Sequence, residues 1–176
     1  MPFIIYSVLS LIIKEKGSKK MDDRTFRNAM GKFATGVTVV TTEFQGEVKG
    51  MTANAFMSVS LNPKLVVVSI GEKARMNPIV KQTGKFAVNI LAREQEDLSR
   101  LFAGQLKEDR KVDFQWVNGH PILPDALANI LCNVYSSYVA GDHTLYFGEV
   151  TDILMKDEAG DPLLFFEGKY RSVAKE

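Results

Sequence analysis

The stretch VTVVTTEFQGEV, from Val37 to Val48, decides the fold class of this chain. Its first half is rich in β-branched residues, which fit a half-buried strand. Gln45-Gly46 then offers a turn, and a second strand can begin near Val48. The stretch therefore predicts a β-hairpin.

More strands are predicted along the rest of the chain, where short apolar runs alternate with turn-forming Gly, Asp and Asn. These runs are Leu65 to Ile70, Phe86 to Leu91, Leu131 to Ala140, Leu145 to Met155 and Leu163 to Glu167. So many strands with few long helices predict a mainly β fold with flanking helices. We expect the sheet to be closed or nearly closed into a barrel, because closure removes exposed sheet edges.

Three helices are predicted beside the strands. Asp22 and Asp23 offer an N-cap for an amphipathic helix that ends before Gly36. Its apolar residues recur at helical spacing: Phe26, Ala29, Met30 and Phe33. Asn77-Pro78 reads as an N-cap and first-turn proline. A third helix is predicted over Gln95 to Ala103, ended by Gly104, with three residues facing inward: Leu98, Leu101 and Phe102.

Composition excludes several classes of protein. The chain has 176 residues, 45% of them hydrophobic and 24% charged, which is typical of one globular domain. A net charge of +1 without a dense basic run argues against nucleic acid as a partner. The single cysteine, Cys132, excludes an internal disulfide, and with only His120 and His143 beside it no four-ligand Cys/His zinc site can form. We therefore expect no metal and a reducing, cytoplasmic location.

The amino terminus is a separate feature. The apolar run from Pro2 to Ile13 is shorter than the about 20 residues of a spanning helix, and positive charge follows it instead of preceding it as in a signal peptide. We interpret residues 1–20 as an extension outside the fold, with Met21 as the natural start and 21–176 as the domain. A short interfacial membrane anchor is the alternative.

Catalytic signatures for hydrolysis, nucleotide phosphate loops, zinc proteases and calcium loops are absent from the sequence. Cys132 lies in a predicted strand, where a small buried hydrophobe is expected. His120 precedes a proline in a loop and is expected to be a surface or packing residue. The chemistry is therefore expected to come from a cofactor.

The segment GMTANAFMSVSLNP, from Gly50 to Pro63, is the first candidate site. It contains no charged residue and alternates apolar positions, expected to face the core, with short polar ones. The apolar positions are Met51, Ala53, Ala55, Met57, Val59 and Leu61, and the others include Thr52, Asn54, Ser58 and Ser60. Neutral donors and acceptors of this kind suit a polar heterocycle or a phosphate. An exposed Ser/Thr-rich face is the alternative.

Two further segments could contact a ligand. Backbone N–H groups, a predicted helix start and two cations follow one another from Ser69 to Arg75, which suits a phosphate, although a solvated loop has the same composition. His143 lies in a predicted turn, Gly141 to Thr144. It is either a donor to a ligand or a surface histidine.

Six segments in order carry a resemblance to a known family. They are FRNAMGKFATGVTVVTT (26–42), GMTANAFMSVSLNP (50–63), FAVNIL (86–91), QEDLSRLFA (95–103), GDHTLYFGEV (141–150) and LLFFEGKYR (163–171). Over about residues 22–172 the chain resembles the flavin reductase family, whose members have the FMN-binding split β-barrel fold and use NAD(P)H to reduce flavin.

The resemblance implies roles for particular residues. The Gly50–Met51–Thr52 backbone, with Asn54 and Ala55, is similar to the segment that binds the isoalloxazine edge and ribityl chain of FMN or FAD. The remaining implied residues are Ser69, Ile70, Lys73, Arg75 and Asn77 on the phosphate side, Phe102, Ala103 and Lys107 in the stretch that closes over the flavin, and His143 on the nicotinamide side. Met76 and Asn77 stand where the family commonly has a serine, which leaves the phosphate ligands open.

The activity implied is hydride transfer from C4 of NADH or NADPH to flavin N5, in a homodimer that supplies reduced flavin to a two-component monooxygenase. Three alternatives remain at this point. They are a flavin-binding electron-transfer protein without direct NAD(P)H use, a non-catalytic flavin or haem carrier, and an enzyme acting on a bound organic substrate. The sequence does not indicate a preference between the two flavins or the two nicotinamides.

Overall fold

The structure is a computed structural model, and it describes residues 21–106, 110–157 and 160–174. The predicted extension, residues 1–20, and the predicted site residue Lys107 lie outside these ranges. The chain divides into two units, one up to Phe33 and one from Ala34. Each unit is described by itself.

Helix α1 (Asp23–Met30) belongs to the first unit. As predicted, Asp22 is its N-cap, and the carboxylate accepts hydrogen bonds from the backbone N–H of Thr25 at 2.9 Å and from its hydroxyl at 2.7 Å. The helix ends at Gly31, earlier than predicted, because glycine is a poor helix former and caps the run. Phe33 therefore lies beyond it.

The second unit contains the strands and two further helices. The strands are β1 (Thr35–Gly36), β2 (Thr38–Phe44), β3 (Glu47–Ala53), β4 (Phe56–Leu61), β5 (Lys64–Gly71), β6 (Lys85–Ile90), β7 (Gln115–Val117), β8 (His120–Ile122), β9 (Ala128–Ala140), β10 (His143–Met155), β11 (Leu164–Phe166) and β12 (Lys169–Arg171). The helices are α2 (Met76–Thr83) and α3 (Glu96–Phe102), the latter preceded by a 3-10 turn, Arg93–Gln95. The predicted strands and the mainly β class are thus confirmed.

Seven strands form one antiparallel sheet in the order β3-β2-β6-β9-β10-β5-β4. Contrary to the expectation of closure, no ladder joins β3 to β4 among the described residues. A helix covers the core here, since Met76 and Val80 of α2 are buried in the same cluster as Ala53 of β3 and Val66 of β5. Helix α2 therefore covers this part of the apolar interior, where the sheet does not close.

The sheet has apolar clusters on two faces. The first, around Phe86, Val68 and Tyr146, lies under α2. The second, around Val37, Val39 and Leu91, includes partly buried Leu98 and Phe102 of α3 and Phe165 and Tyr170 of the β11–β12 hairpin. The candidate site lies beside this second cluster.

The predicted alternation from Gly50 to Pro63 is wrong beyond Ala53. The chain leaves the ladder at Asn54–Ala55 and starts a separate edge strand, β4, with a register shift between Ser58 and Ser60. Ala53 is buried, whereas Met57 and Leu61 are 59% and 88% exposed. These apolar residues of β4 therefore do not belong to the core.

The predicted N-cap role of Asn77 is also wrong. Helix α2 begins at Met76, and its N-cap position is Arg75, which makes no capping hydrogen bond through its side chain. Asn77 is buried, and its amide donates toward the carbonyls of Ile70 (3.3 Å) and Gly71 (3.4 Å) and to the Thr144 hydroxyl (3.1 Å). These buried partners hold the side chain inside the protein.

A buried polar network fixes the β8 region to the sheet. Asn89, fully buried on β6, donates to Val39 O at 2.8 Å and to the Thr41 hydroxyl at 3.0 Å. Its carbonyl oxygen accepts from Leu123 N and from the amide of Asn129, each at 2.8 Å. Both ends of the Asn89 amide are therefore satisfied inside the fold.

Candidate functional site

A cavity of about 180 Å³ lies where the end of β3 faces α3 and the β11–β12 hairpin. Its wall combines neutral polar residues with apolar and aromatic ones. The lining residues are Val37, Thr52, Ala53, Asn54, Ser99, Ala103, Gln105, Phe165 and Tyr170. The cavity is smaller than the ~300–1,000 Å³ typical of a site that encloses a whole ligand, so it can hold only part of one.

Three residues predicted for the site line this cavity: Thr52, Asn54 and Ala103. The opposite wall of the cavity was not predicted from the sequence to be a binding surface. Phe165 and Tyr170 come from the last hairpin, more than 100 residues after Thr52. Their segment entered the resemblance, but no polar or periodic pattern marked it as part of a site.

Gly50 and Phe102 bring β3 and α3 together. A Cβ atom placed at Gly50 would lie 2.7 Å from Cε1 of the Phe102 ring, closer than such contacts allow. The absence of a side chain at Gly50 therefore lets α3 approach the strand. The two residues, both predicted for the site, form a contact next to the cavity and do not line it.

A hydrogen-bonded chain connects three of the lining residues. The Thr52 hydroxyl donates to the backbone carbonyl of Ser99 at 2.7 Å, and the Ser99 hydroxyl lies 2.8 Å from the Tyr170 hydroxyl. The Arg100 guanidinium lies over the Tyr170 ring, 4.9 Å from its centroid, and pairs with Glu96 at 2.6 Å. These contacts fix the wall made by α3 and β12.

Two predicted residues direct their side chains into the first core. Ile70 is fully buried, and Met51 packs against the same cluster. Ile70 can therefore reach a ligand only through its backbone, whereas Met51 is partly exposed. Ala55 and Ser69 are instead joined through the backbone, since Ser69 N donates to Ala55 O at 3.0 Å. This bond connects the segment after β3 to β5.

The predicted phosphate side has two exposed cations. Lys73 and Arg75 are both exposed, and neither lies within 4.0 Å of an acidic oxygen in the described residues. Asn77 differs, because its amide is used inside the fold and its carbonyl oxygen accepts from the Tyr146 hydroxyl at 2.7 Å. Asn77 therefore supports the loop that carries Lys73 and Arg75 through hydrogen bonds inside the protein.

His143 lies beside this loop and not in the cavity wall. It pairs with Gly71 in the β10–β5 register, and its Nε2 would lie 3.6 Å from a Cβ atom at Gly71. Its Nδ1 is 2.7 Å from Oδ1 of Asp142. The hydrogen bond with His143 lowers the pKa of the Asp142 carboxyl, and it leaves Nε2 of the half-exposed ring available to a ligand.

The other titratable candidates are structural. Cys132 is buried, and burial raises the pKa of its thiol to about 12, so it is a small apolar residue as predicted. His120 is a buried packing residue, with ring nitrogens 3.0 Å from Asn118 O and 3.3 Å from Cys132 O. In the described ranges, no group of three or more His, Cys, Asp or Glu side chains could hold a metal ion.

Among the helices that the structure describes, none is both long and apolar enough to cross a membrane.

Comparison with known proteins gives concordant matches. A family model described as flavin reductase like domain matches residues 30–174. An NADH-dependent flavin reductase of Rhodococcus sp. is 47% identical over 150 residues, 84% of each chain. The reductase component of 4-hydroxyphenylacetate 3-monooxygenase from Thermus thermophilus is 39% identical over 146 residues, 83% of this chain and 93% of the relative.

A solved structure is similar over most of the chain. The flavin reductase PheA2 in its native state is 62% identical, with a TM-score of 0.85, over 88% of this chain and 100% of that one. The cavity-lining residues, from Val37 to Tyr170, all lie within the span of the family model.

Proposed function

Because the chain belongs to the flavin reductase family, we propose that it uses NADH to reduce FMN or FAD and passes the reduced flavin to a separate flavin-dependent monooxygenase. The observation that carries this proposal is the cavity between β3, α3 and β12, which is built from segments that the family model spans. Two sequence relatives support it, one named an NADH-dependent flavin reductase and one the reductase component of a monooxygenase.

The residues present fit part of a flavin. Val37, Phe165 and Tyr170 offer an apolar and aromatic wall for a planar ring, while Thr52 and Asn54 offer hydrogen-bonding groups for its polar edge. When bound together, the nicotinamide and the flavin supply hydride transfer from C4 to N5. The chain's own part is to hold the two rings at reacting distance and to exclude water.

Lys73 and Arg75 are proposed to bind the flavin phosphate, with the Ser69 side chain and the backbone of Ile70 and Gly71, since the Ser69 N–H is already bonded to Ala55 O. Both cations are exposed and can form charge-assisted hydrogen bonds. Asn77 supports this loop instead of contacting the phosphate through its amide, which is already bonded to Thr144. His143 is proposed to contact the nicotinamide through Nε2, with Asp142 orienting the ring.

Replacing Asn54 by leucine is expected to weaken flavin binding at least fivefold, or by about 1 kcal/mol, because a polar atom of the bound flavin would lose its partner. Asn54 lines the cavity, whereas Cys132 is buried in the first core. Cys132→Ala is therefore the control, and it should leave flavin affinity unchanged. Fluorescence titration with FMN and FAD measures both. Equal affinities of the two variants would remove Asn54 from the site.

We propose that the protein is a homodimer with the FMN-binding split-barrel architecture. One face of β4, β5, β10 and β9 carries apolar residues that belong to none of the buried clusters of the second unit: Met57, Val67, Leu145, Phe147 and Tyr138. Tyr138 is 65% exposed. Ser69 and His143 alternate onto this same face, so a second copy seated here would also cover the flavin.

Light scattering is expected to give the mass of a dimer at micromolar concentration. Tyr138→Glu should yield monomers, because a buried carboxylate without a partner opposes association. Trp116→Glu, which changes an aromatic residue of similar exposure on β7, should remain dimeric. A wild-type monomer with full activity would rule out the dimer proposal.

We also propose that residues 1–20 lie outside the domain and that the protein acts in the cytoplasm, where NADH is available. A chain starting at Met21 should reduce flavin at the wild-type rate, because the family model begins only at residue 30. Steady-state kinetics and a melting curve of the shortened chain provide the check. If that chain failed to fold or lost its activity, residues 1–20 would belong to the domain.

The test of the proposed function is anaerobic mixing of the protein, NADH and excess FMN or FAD. We expect flavin absorbance to bleach in many turnovers, and parallel runs with NADPH measure the nicotinamide preference. Flavin binding without bleaching by either nicotinamide would favour an electron-transfer or carrier protein. Neither bleaching nor flavin binding would reject both functions.

A further inference from the structure

The one hydroxyl proton of Thr52 is already committed within the protein. Thr52 Oγ1 lies 2.7 Å from the carbonyl oxygen of Ser99, and a carbonyl cannot donate. The proton between these two oxygens must therefore come from Thr52, because without it the oxygens would repel each other. Thr52 and Ser99 both line the cavity, so this bond lies along its wall.

We propose that Thr52 is a specificity-determining residue that accepts a hydrogen bond from an N–H group of a planar amide or imide in the cavity. With its proton directed at Ser99, the hydroxyl presents only lone pairs to a ligand. A ligand group that donates is bound, and a carbonyl placed at the same point is repelled. The inference rests on the proposed function, since both ligands of that reaction contain such an N–H.

The surroundings keep the Thr52 hydroxyl in this state. Ser99 is fully buried, and its carbonyl also accepts from Ala103 N at 3.0 Å, which fixes its direction along α3. The Ser99 side chain is held by the Tyr170 hydroxyl at 2.8 Å. The Gly50–Phe102 contact sets the distance between β3 and α3. Rotation of the Thr52 proton toward a ligand would break its bond to Ser99.

Two neighbouring amides complete the recognition. Oε1 of Gln105 lies 3.5 Å from Nη1 of Arg100. Because the guanidinium can only donate, the oxygen of the Gln105 amide faces Arg100 and its NH₂ points away from it. Asn54 also lines the cavity, and its NH₂ can donate. An N–H beside a carbonyl group matches this set. The flavin has one at N3 of its pyrimidine edge, between two carbonyl groups, and the nicotinamide has one in its carboxamide, beside a single carbonyl group.

Two ligand analogues test whether the flavin or the nicotinamide donates the N–H to Thr52. 3-Methyl-FMN lacks the N3–H, and the reduced 3-acetylpyridine analogue of NADH lacks the carboxamide NH₂. For each pair we compare the dissociation constants of the natural ligand and its analogue, in wild type and in Thr52→Val. Comparing ratios between proteins removes the intrinsic difference between the two ligands.

For one of the two ligand pairs, the ratio of the dissociation constants of analogue and natural ligand is expected to be about tenfold closer to 1 in Thr52→Val than in wild type. This is the effect of one lost hydrogen bond. A change in the FMN pair assigns the N–H to the flavin, and a change in the NADH pair assigns it to the nicotinamide. Thr52→Ser keeps the hydroxyl and should keep the wild-type ratios. Cys132→Ala changes a buried residue of the first core that does not line the cavity, so it should keep them as well.

If neither ratio changes in Thr52→Val, the inference is wrong. That outcome differs from failure of the proposed function, in which the wild-type protein would neither bind flavin nor reduce it with NADH.

Discussion

Replacing Asn89 by leucine is expected to lower the free energy of unfolding by about 3–5 kcal/mol, because buried groups lose their partners at about 1–3 kcal/mol each. Asn89 is fully buried and bonds to Val39 O, the Thr41 hydroxyl, Leu123 N and the Asn129 amide. The Leu123 N–H loses the partner that Asn89 supplies. Such a loss would be a large part of a typical domain stability of about 5–15 kcal/mol.

Urea unfolding measures the loss, with Asn133→Leu as the matched control. Asn133 is an exposed residue of β9, and substitution there should change the free energy of unfolding by no more than about 0.5 kcal/mol. If Asn89→Leu and Asn133→Leu unfold at the same urea concentration, the network around Asn89 does not hold the β8 region in place. An insoluble Asn89→Leu chain can be replaced by Asn89→Ser, for which a smaller loss in the same direction is expected.

Replacing His143 by alanine should lower kcat/KM for NADH by tenfold to a hundredfold, which corresponds to about 1.4–2.7 kcal/mol of transition-state stabilisation. The side chain is half-exposed at the start of β10, and its described hydrogen bond is to the neighbouring Asp142. Its loss should therefore leave Tm unchanged. FMN affinity should also stay near the wild-type value, because the substitution leaves unchanged both the cavity wall and the groups proposed to bind the flavin phosphate.

Three measurements on His143→Ala separate its possible roles: single-turnover flavin reduction, FMN affinity and Tm. Slower reduction with normal FMN affinity agrees with a nicotinamide contact. Equal losses of rate and FMN affinity would move His143 into the flavin site. Unchanged kinetics would return it to a surface histidine.

The strands could be predicted from the sequence because their signal is local. In β2, a run of β-branched residues is followed by Gln45-Gly46, and both turn residues have the positive φ that this hairpin requires. Alternation tells which residues share a face, but it does not tell which face is covered. Met57 and Leu61 were therefore expected in the core although β4 is an edge strand with those residues exposed.

The candidate site could be predicted only in part, because it depends on contacts between distant segments. Thr52 and Asn54 stood out as uncharged polar residues in a strand-like run. Tyr170 had no such local signal, and it reaches the cavity only because the β11–β12 hairpin packs beside α3. Asn77 had a local signal that was misleading, because asparagine before proline is typical of a helix cap. Its side chain is instead buried by hydrogen bonds to Thr144 and Tyr146, which follow it by more than 60 residues.

The central claim is direct hydride transfer from NADH to flavin on this chain. It is tested by anaerobic single-turnover reduction of bound FMN with unlabelled NADH and with NADH deuterated at either of the two C4 positions. We predict that all three bleach the flavin and that one of the two deuterated forms does so more slowly, because the protein presents one face of the nicotinamide to the flavin. Failure of all three to bleach the bound flavin would contradict the claim.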